Sequence, residues 1–288
     1  MTSAANWFQG ARPRTLGAAV SPVVVGTAVA SRYGDLVWWR AAFCLLLAIA
    51  LQVGVNYAND YSDGVRGVDT QRRGPVRLTA SGLAAPAHVK RAAFGSFAVG
   101  GVLGIVLAVA VDWRLVIVGA VSILAAGLYS GGPKPYASSG LGEVMVLVFF
   151  GFVATCGSAY VHLQRVPWLA VAAALPVGLL ACAILLVNNL RDVDSDRDVG
   201  KRTLAVRVGK ARTRTLYRGC FALSALTVVA LAPRAPGALL ALAAAPLAMA
   251  PLRTVATETG APALVQALIG TARLQLVLSV LLAVGLAL

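Results

Sequence analysis

The sequence predicts an all-α integral membrane protein, a bundle of about nine transmembrane helices, and three observations point there. Of 288 residues, 59% are hydrophobic and only 12% charged, with a mean hydropathy of +0.80, well above the apolar share of a water-soluble domain. The apolar residues form repeated runs near the roughly 20 residues that a bilayer crossing takes. The charges are gathered between the runs.

In order, the runs fall at about 16–32, 38–58, 91–111, 114–130, 142–162, 168–189, 214–232, 236–252 and 264–287. The first follows Arg12 and Arg14 and contains Ala28-Val29-Ala30, which imitates a secretory signal. The later spans need no cleaved leader, so it reads as the first helix. Arg253, Glu258 and Arg273 interrupt the last two runs, leaving open a partly interfacial path there. Cys44, Cys156, Cys182 and Cys220 stand singly in or beside apolar runs. They form neither a disulfide framework nor a zinc pattern and read as packing thiols.

A net charge of +14 would suggest nucleic acid in a soluble protein; here it reports orientation and no nucleic-acid partner. Arg66, Arg72, Arg73, Arg77, Lys90 and Arg91 lie between the second and third runs. Arg191, Arg197, Lys201, Arg202, Arg207, Lys210 and Arg212 lie between the sixth and seventh. Other connections carry only Arg32 and Arg40, Arg114, Arg165 or Arg234. The positive-inside rule places the rich loops, the N-terminus and the Lys134 loop in the cytoplasm. Nine crossings of the cell's inner (plasma) membrane then put the C-terminus outside.

The acids sharpen the pattern, since seven of eleven stand in two clusters: Asp60, Asp63 and Asp69, then Asp192, Asp194, Asp196 and Asp198. Each follows an apolar run and precedes a basic loop, which makes residues 1–288 one polytopic domain with an internal repeat near 52–82 and 184–209. Asn56, Asp60 and Asp63 are spaced i, i+4, i+7, and Asn188, Asp192 and Asp196 i, i+4, i+8, so each set shares a helical face. Asp194 points away. Carboxylates at a membrane helix end repel one another and are costly to bury, so a cation between them is expected. Oxygen donors without His or Cys favour Mg²⁺ bridging to phosphate oxygens. Arg66, Arg72, Arg73 and Arg77 on one side and Arg191, Lys201 and Arg202 on the other could hold the phosphate oxygens that a metal leaves free. The competing reading is charge balance by surface ion pairs; recurrence of Asn-xxx-Asp on two apolar helices favours the metal-diphosphate site.

Four stretches carry a family resemblance: ARPRTL at Ala11 to Leu16, NDYSDGVRGVDTQRRGP at Asn59 to Pro75, YSGGPKPY at Tyr129 to Tyr136, and NNLRDVDSDRDVGKRTLAVRVG from Asn188. The chain resembles the UbiA-type membrane prenyltransferases over essentially its whole length. It is most similar to their menaquinone branch, the 1,4-dihydroxy-2-naphthoate polyprenyltransferases. The resemblance implies a helical bundle around a central cavity with cytoplasmic Asp-rich helix ends and cap loops. It also implies Mg²⁺-dependent transfer of a polyprenyl group from an allylic polyprenyl diphosphate to an aromatic acceptor. On that basis Asn56, Asp60, Asp63, Asn188, Asp192 and Asp196 hold the metal-diphosphate, and the phosphate contacts narrow to Arg72 or Arg77, Arg191 and Lys201. On the same basis Tyr129 faces the allylic cation, and Lys134 belongs to a loop closing over the site. Where the wider superfamily has a third acid four residues after Asp63, this chain has Gly67 and then Asp69. That departure matches the menaquinone branch and puts a metal contact from Asp69 in doubt.

Other readings fit less well. Lys134 in its Gly/Pro-rich turn also suits a plain cytoplasmic loop. Glu143 suits a helix-dipole partner, and His88 and His162 sit at span edges. The membrane CDP-alcohol phosphotransferases need an Asp-Gly-xx-Ala-Arg motif that Asp63 to Gly67 fails. A secondary transporter would place its polar groups at mid-bilayer. Within the prenyltransferases, another quinone precursor remains open as acceptor.

Overall fold

A computed structural model describes residues 2–67, 77–132 and 135–288, and among these every regular element is a helix. We number them α1 (Ala4–Gly10), α2 (Gly17–Arg32), α3 (Trp38–Val65), α4 (Pro86–Ala110), α5 (Arg114–Ser130), α6 (Gly142–Leu163), α7 (Trp168–Asp198), α8 (Leu204–Leu231), α9 (Pro236–Thr257) and α10 (Ala261–Ala287). Among the described residues, α2 to α10 coincide with the nine apolar runs. Six of them (α3, α4, α6, α7, α9, α10) are long and apolar enough to cross a membrane, and α1–α2, bent by 52°, makes a seventh if taken as one span. The chain is a multi-pass membrane protein. Helix α5 is apolar but shorter, while α8 is long with a basic first half.

Hydropathy misplaced three boundaries by seven residues or more. Helix α3 continues past residue 58 to Val65, α7 past 189 to Asp198, and α8 starts at Leu204 instead of 214. Apolarity reports only the lipid-facing part of a helix; beyond it, the charged turns persist because their side chains find partners. Gly209, at φ +82°, interrupts α8 in a conformation that glycine adopts without steric cost.

Helices α7 and α10 form the centre, with 67% and 56% of their most apolar windows buried. One large apolar cluster joins them to α2, α8 and α9 through residues such as Val177, Leu180, Tyr217, Leu278 and Leu282. Pro176 lies inside α7 and cannot donate to the helix ladder. Buried side chains of neighbouring helices dock on the α7 backbone nearby: Ser224 Oγ donates to Pro176 O at 3.2 Å and Gln275 Nε2 to Val177 O at 2.9 Å. On the other side α3 packs along α4, with α2 and α6 closing the ring. Helix α6 carries a π-helical stretch, Leu147–Val153, a form common at functional sites.

The tightest approach joins α9 to α10. A Cβ on Gly285 would lie 1.9 Å from the Gly237 carbonyl oxygen, and one on Gly237 2.2 Å from that of Gly285. Gly285→Val is therefore expected to lower stability by about 1–3 kcal/mol. Gly219→Ala, whose added Cβ meets nothing within 4 Å, should be neutral or gain about 0.4–1 kcal/mol. Thermal unfolding of the purified protein in detergent checks both; equal midpoints for the two variants would refute the described packing.

Candidate functional site

A cavity of about 1010 Å³ runs between α2, α3, α4, α5, α6 and α7, at the top of the range for small-molecule pockets. On α3 its lining extends from Cys44 to Asn59, which at 1.5 Å per residue is about 22 Å along the axis. At the Cys44 end, Val23, Cys44, Leu107 and Val161 close together as a buried apolar cluster. At the other end Arg12, Arg14, Arg77 and Arg191 line the wall with Asn56, Asn59, Asn188, Tyr129 and Tyr136. Among the described residues no carboxylate lines the cavity. Its polar end is electropositive.

The aspartates sit behind that lining. Asp60, Asp63, Asp192 and Asp196 are 1%, 7%, 4% and 7% exposed, and their partners come from distant segments. Asp60 accepts the Leu78 N–H on Oδ2 and the Thr79 N–H on Oδ1, both at 2.8 Å, so it pins the chain returning to the bundle. Each carboxylate oxygen keeps a further lone pair. Asp63 pairs with Lys201 Nζ at 2.9 Å and with Arg77 at 3.8 Å. Asp192 accepts two bonds from the Arg191 guanidinium, from Nε at 2.7 Å and Nη2 at 2.6 Å; the same Nη2 donates to Asn188 Oδ1 at 3.0 Å. Such charge-assisted bidentate contacts fix the plane of the guanidinium. The Asp196 carbonyl accepts the Lys201 N–H at 2.8 Å, a turn in which Gly200 adopts φ +75°. Asp194 points outward, 69% exposed, against Lys210. Among the described residues no three acidic, His or Cys side chains converge as a preformed metal cluster.

Carboxamides and tyrosines set the remaining wall. Asn56 Nδ2 donates to the Ala11 carbonyl at 2.8 Å and Tyr57 Oη to that of Trp7 at 2.9 Å, docking α1 across α3. The following residue, Arg12, adopts the left-handed conformation, φ 56°, and its side chain reaches the cavity. Tyr129 meets Tyr136 edge-on with centroids 5.4 Å apart, and Tyr136 Oη donates to Ala125 O at 2.8 Å. Burial pushes the Tyr136 phenol up to about 12, so it stays protonated. Ser62 Oγ to Ser130 O and Arg66 to Gly132 O, both 2.7 Å, tie the end of α5 to the end of α3. Buried Glu143 accepts from Asn189 Nδ2 at 2.9 Å.

Of the residues anticipated from sequence, Asn56, Arg77, Tyr129, Asn188 and Arg191 face one cavity end, with Asp60, Asp63, Asp192, Asp196 and Lys201 packed in the layer behind. Arg72, Lys134 and Asp69 lie outside the described residues. Arg12, Gln52, Asn59, Phe149 and Phe150 also line the cavity and were not assigned to it. The i, i+4, i+7 spacing of Gln52, Asn56 and Asn59 carried that signal. The π-helical turn that brings both phenylalanines to the wall had none.

An apolar cavity with an electropositive end inside a helical bundle defines a polytopic membrane protein built around an amphiphile-shaped space, and comparison shows which family it belongs to. The family model described as the UbiA prenyltransferase family matches residues 19–263, and the chain belongs to that family. It is 46% identical over 287 residues to the 1,4-dihydroxy-2-naphthoate octaprenyltransferase of Mycobacterium tuberculosis, covering 100% of this chain and 98% of the relative. It is 37% identical over 239 residues to the Escherichia coli protein of the same name, with 78% and 75% covered. Its fold is similar to the apo structure of a UbiA homolog from Aeropyrum pernix K1, with TM-score 0.68, 16% identity and 94% and 96% covered. It is also similar to that of a UbiA homolog from Archaeoglobus fulgidus bound to GPP and Mg²⁺, with TM-score 0.65, 13% identity and 96% and 99% covered.

Asp60→Ala leaves the buried Leu78 amide and the part-buried Thr79 amide without an acceptor, which costs about 1–3 kcal/mol for the former and less for the latter. Hydrogen exchange at these two amides should accelerate, with a smaller change in Asp60→Asn; wild-type protection in Asp60→Ala would exclude the anchoring role.

Proposed function

We propose that this protein transfers a polyprenyl group from an allylic polyprenyl diphosphate to 1,4-dihydroxy-2-naphthoate. The acceptor loses its carboxylate as CO₂, and the products are demethylmenaquinone and diphosphate. The observation that carries this reading is the cavity: about 22 Å of mostly apolar wall by helix rise ending in four guanidiniums. An amphiphile with a long hydrocarbon tail and a polyanionic head fits that polarity. Arg12, Arg77 and Arg191 would grip phosphate oxygens, for which the planar fork of arginine is suited. The relatives named as octaprenyltransferases support both the reaction class and the naphthoate acceptor.

The residues behind the wall suit Mg²⁺, since the donors are hard oxygens drawn from Asp60, Asp63, Asp192 and Asp196 with Asn56 and Asn188. Their charge is balanced here by side-chain cations, Lys201 on Asp63 and Arg191 on Asp192, which can move to phosphate when a divalent cation takes their place. Bound there, Mg²⁺ would supply positive charge against the charge that develops on the departing diphosphate. The chain's own part is to hold the head group, keep water away from the allylic carbon, and offer the Tyr129 ring face to developing positive charge. Lys134 and Arg72 are proposed to belong to the loops over this end. We place the aspartate-bearing ends at the cytoplasmic side of the inner membrane, with nine crossings and the C-terminus outside.

Purified protein supplied with an allylic polyprenyl diphosphate, Mg²⁺ and 1,4-dihydroxy-2-naphthoate is expected to form the prenylated naphthoquinol, and to form little product with 4-hydroxybenzoate or in excess chelator. Asp63→Asn and Asp192→Asn are each expected to lower kcat by about a hundredfold or more, as for loss of a major electrostatic contact in the transition state. Equal turnover of 4-hydroxybenzoate would transfer the assignment to another branch of the family.

A further inference from the structure

The end of the bundle opposite the aspartates carries a second basic feature that the reaction does not use. Helix α2 begins beside Asn56 and ends at Arg32, whereas α7 begins at Trp168 and ends at Asp198, so Arg32 and Trp168 share the far end. There Arg165 lies over the Tyr33 ring at 5.1 Å, and Arg234 lies over the Trp168 ring at 5.3 Å. Arg32 donates to the carbonyls of Arg234 at 3.4 Å and Leu286 at 3.2 Å. Together with the chain from Arg165 to Trp168, these contacts close a circuit of three guanidiniums and two aromatic rings. All five side chains are exposed. Among the described residues, no carboxylate lies within ion-pair reach of Arg32, Arg165 or Arg234.

We infer that this circuit is a binding site for the phosphate of an anionic phospholipid in the leaflet opposite the aspartate-bearing helix ends. Three guanidiniums positioned by ring faces and backbone carbonyls, with no ion-pair partner among the described residues, favour an anion at this end. Tyrosine and tryptophan rings belong at headgroup depth, so the anion at this height in a bilayer is lipid phosphate. Each guanidinium keeps N–H groups for phosphate oxygens while its face rests on a ring or its other N–H groups on a carbonyl. The positive-inside rule does not account for the cluster, because it lies at the end where basic residues are otherwise sparse.

Native mass spectrometry of the full-length protein from detergent, with added phosphatidylglycerol or phosphatidylcholine, tests this. Wild type is expected to retain phosphatidylglycerol and to release phosphatidylcholine. Arg165→Gln should weaken retention about fivefold, the effect of one surface guanidinium, and Arg32→Gln/Arg165→Gln/Arg234→Gln should abolish it. Arg165 makes no backbone hydrogen bond among the described residues, so the single variant stays informative if the triple variant fails to fold. Wild-type retention in Arg165→Gln, or equal retention of the two lipids, would overturn the inference. So would stabilisation by inorganic phosphate as large as that by phosphatidylglycerol.

Discussion

Four carboxylates held almost out of water at the ends of two membrane helices are the constraint on which the rest of this protein depends. A buried charge without a partner costs several kcal/mol, so each aspartate must recruit donors, and those donors come from elsewhere in the chain. Asp60 recruits the backbone at Leu78 and Thr79, Asp63 recruits Arg77 and Lys201, and Asp192 recruits Arg191. These contacts carry α3 and α7 beyond their apolar spans and hold Arg77, Leu78, Thr79 and the turn after α7 against the same end of the bundle.

The arrangement also sets the chemistry of the cavity. With the aspartates behind and the guanidiniums in front, the wall facing a ligand is positive while the layer as a whole is close to balanced. The cations at this end are preoriented, since two bonds to Asp192 hold Arg191 and one to Asp63 holds Lys201. Preorganised charge of this kind is worth more in a site that excludes water than at an open surface. The apolar depth of the cavity, closed by Val23, Cys44, Leu107 and Val161, supplies that exclusion.

Much of this was legible in the sequence, though unevenly. The apolar runs marked the helices because lipid demands apolar residues on every exposed face, and the Asn-xxx-Asp spacing marked the ends of two of them where buried carboxylates gather. Boundaries were misjudged where that demand stops: past residues 58 and 189 nothing in hydropathy says whether a polar stretch stays helical. Spacing grouped Asp60 with Asp63, but it could not show that Asp60 accepts backbone amides while Asp63 meets Lys201 and Arg77. Arg12 was passed over because its reach into the cavity depends on a left-handed backbone turn and on Asn56 holding Ala11, contacts spanning 45 residues of sequence.

By itself the sequence determined the class of protein, its helices, its two acidic ends and its family, because each is a matter of composition, period or local motif. Which groups face the ligand was decided only by tertiary structure. Asp63 shares its helical face with Gln52, Asn56 and Asn59, so rotation of α3 alone does not set the order. Guanidiniums line the wall and carboxylates stand behind it because Arg77, Arg191 and Lys201 and the Leu78 and Thr79 amides, most of them from distant segments, engage the carboxylates. The ring of Arg32, Arg165 and Arg234 is likewise invisible along the chain, where its members are separated by more than a hundred residues at one gap and by nearly seventy at the other.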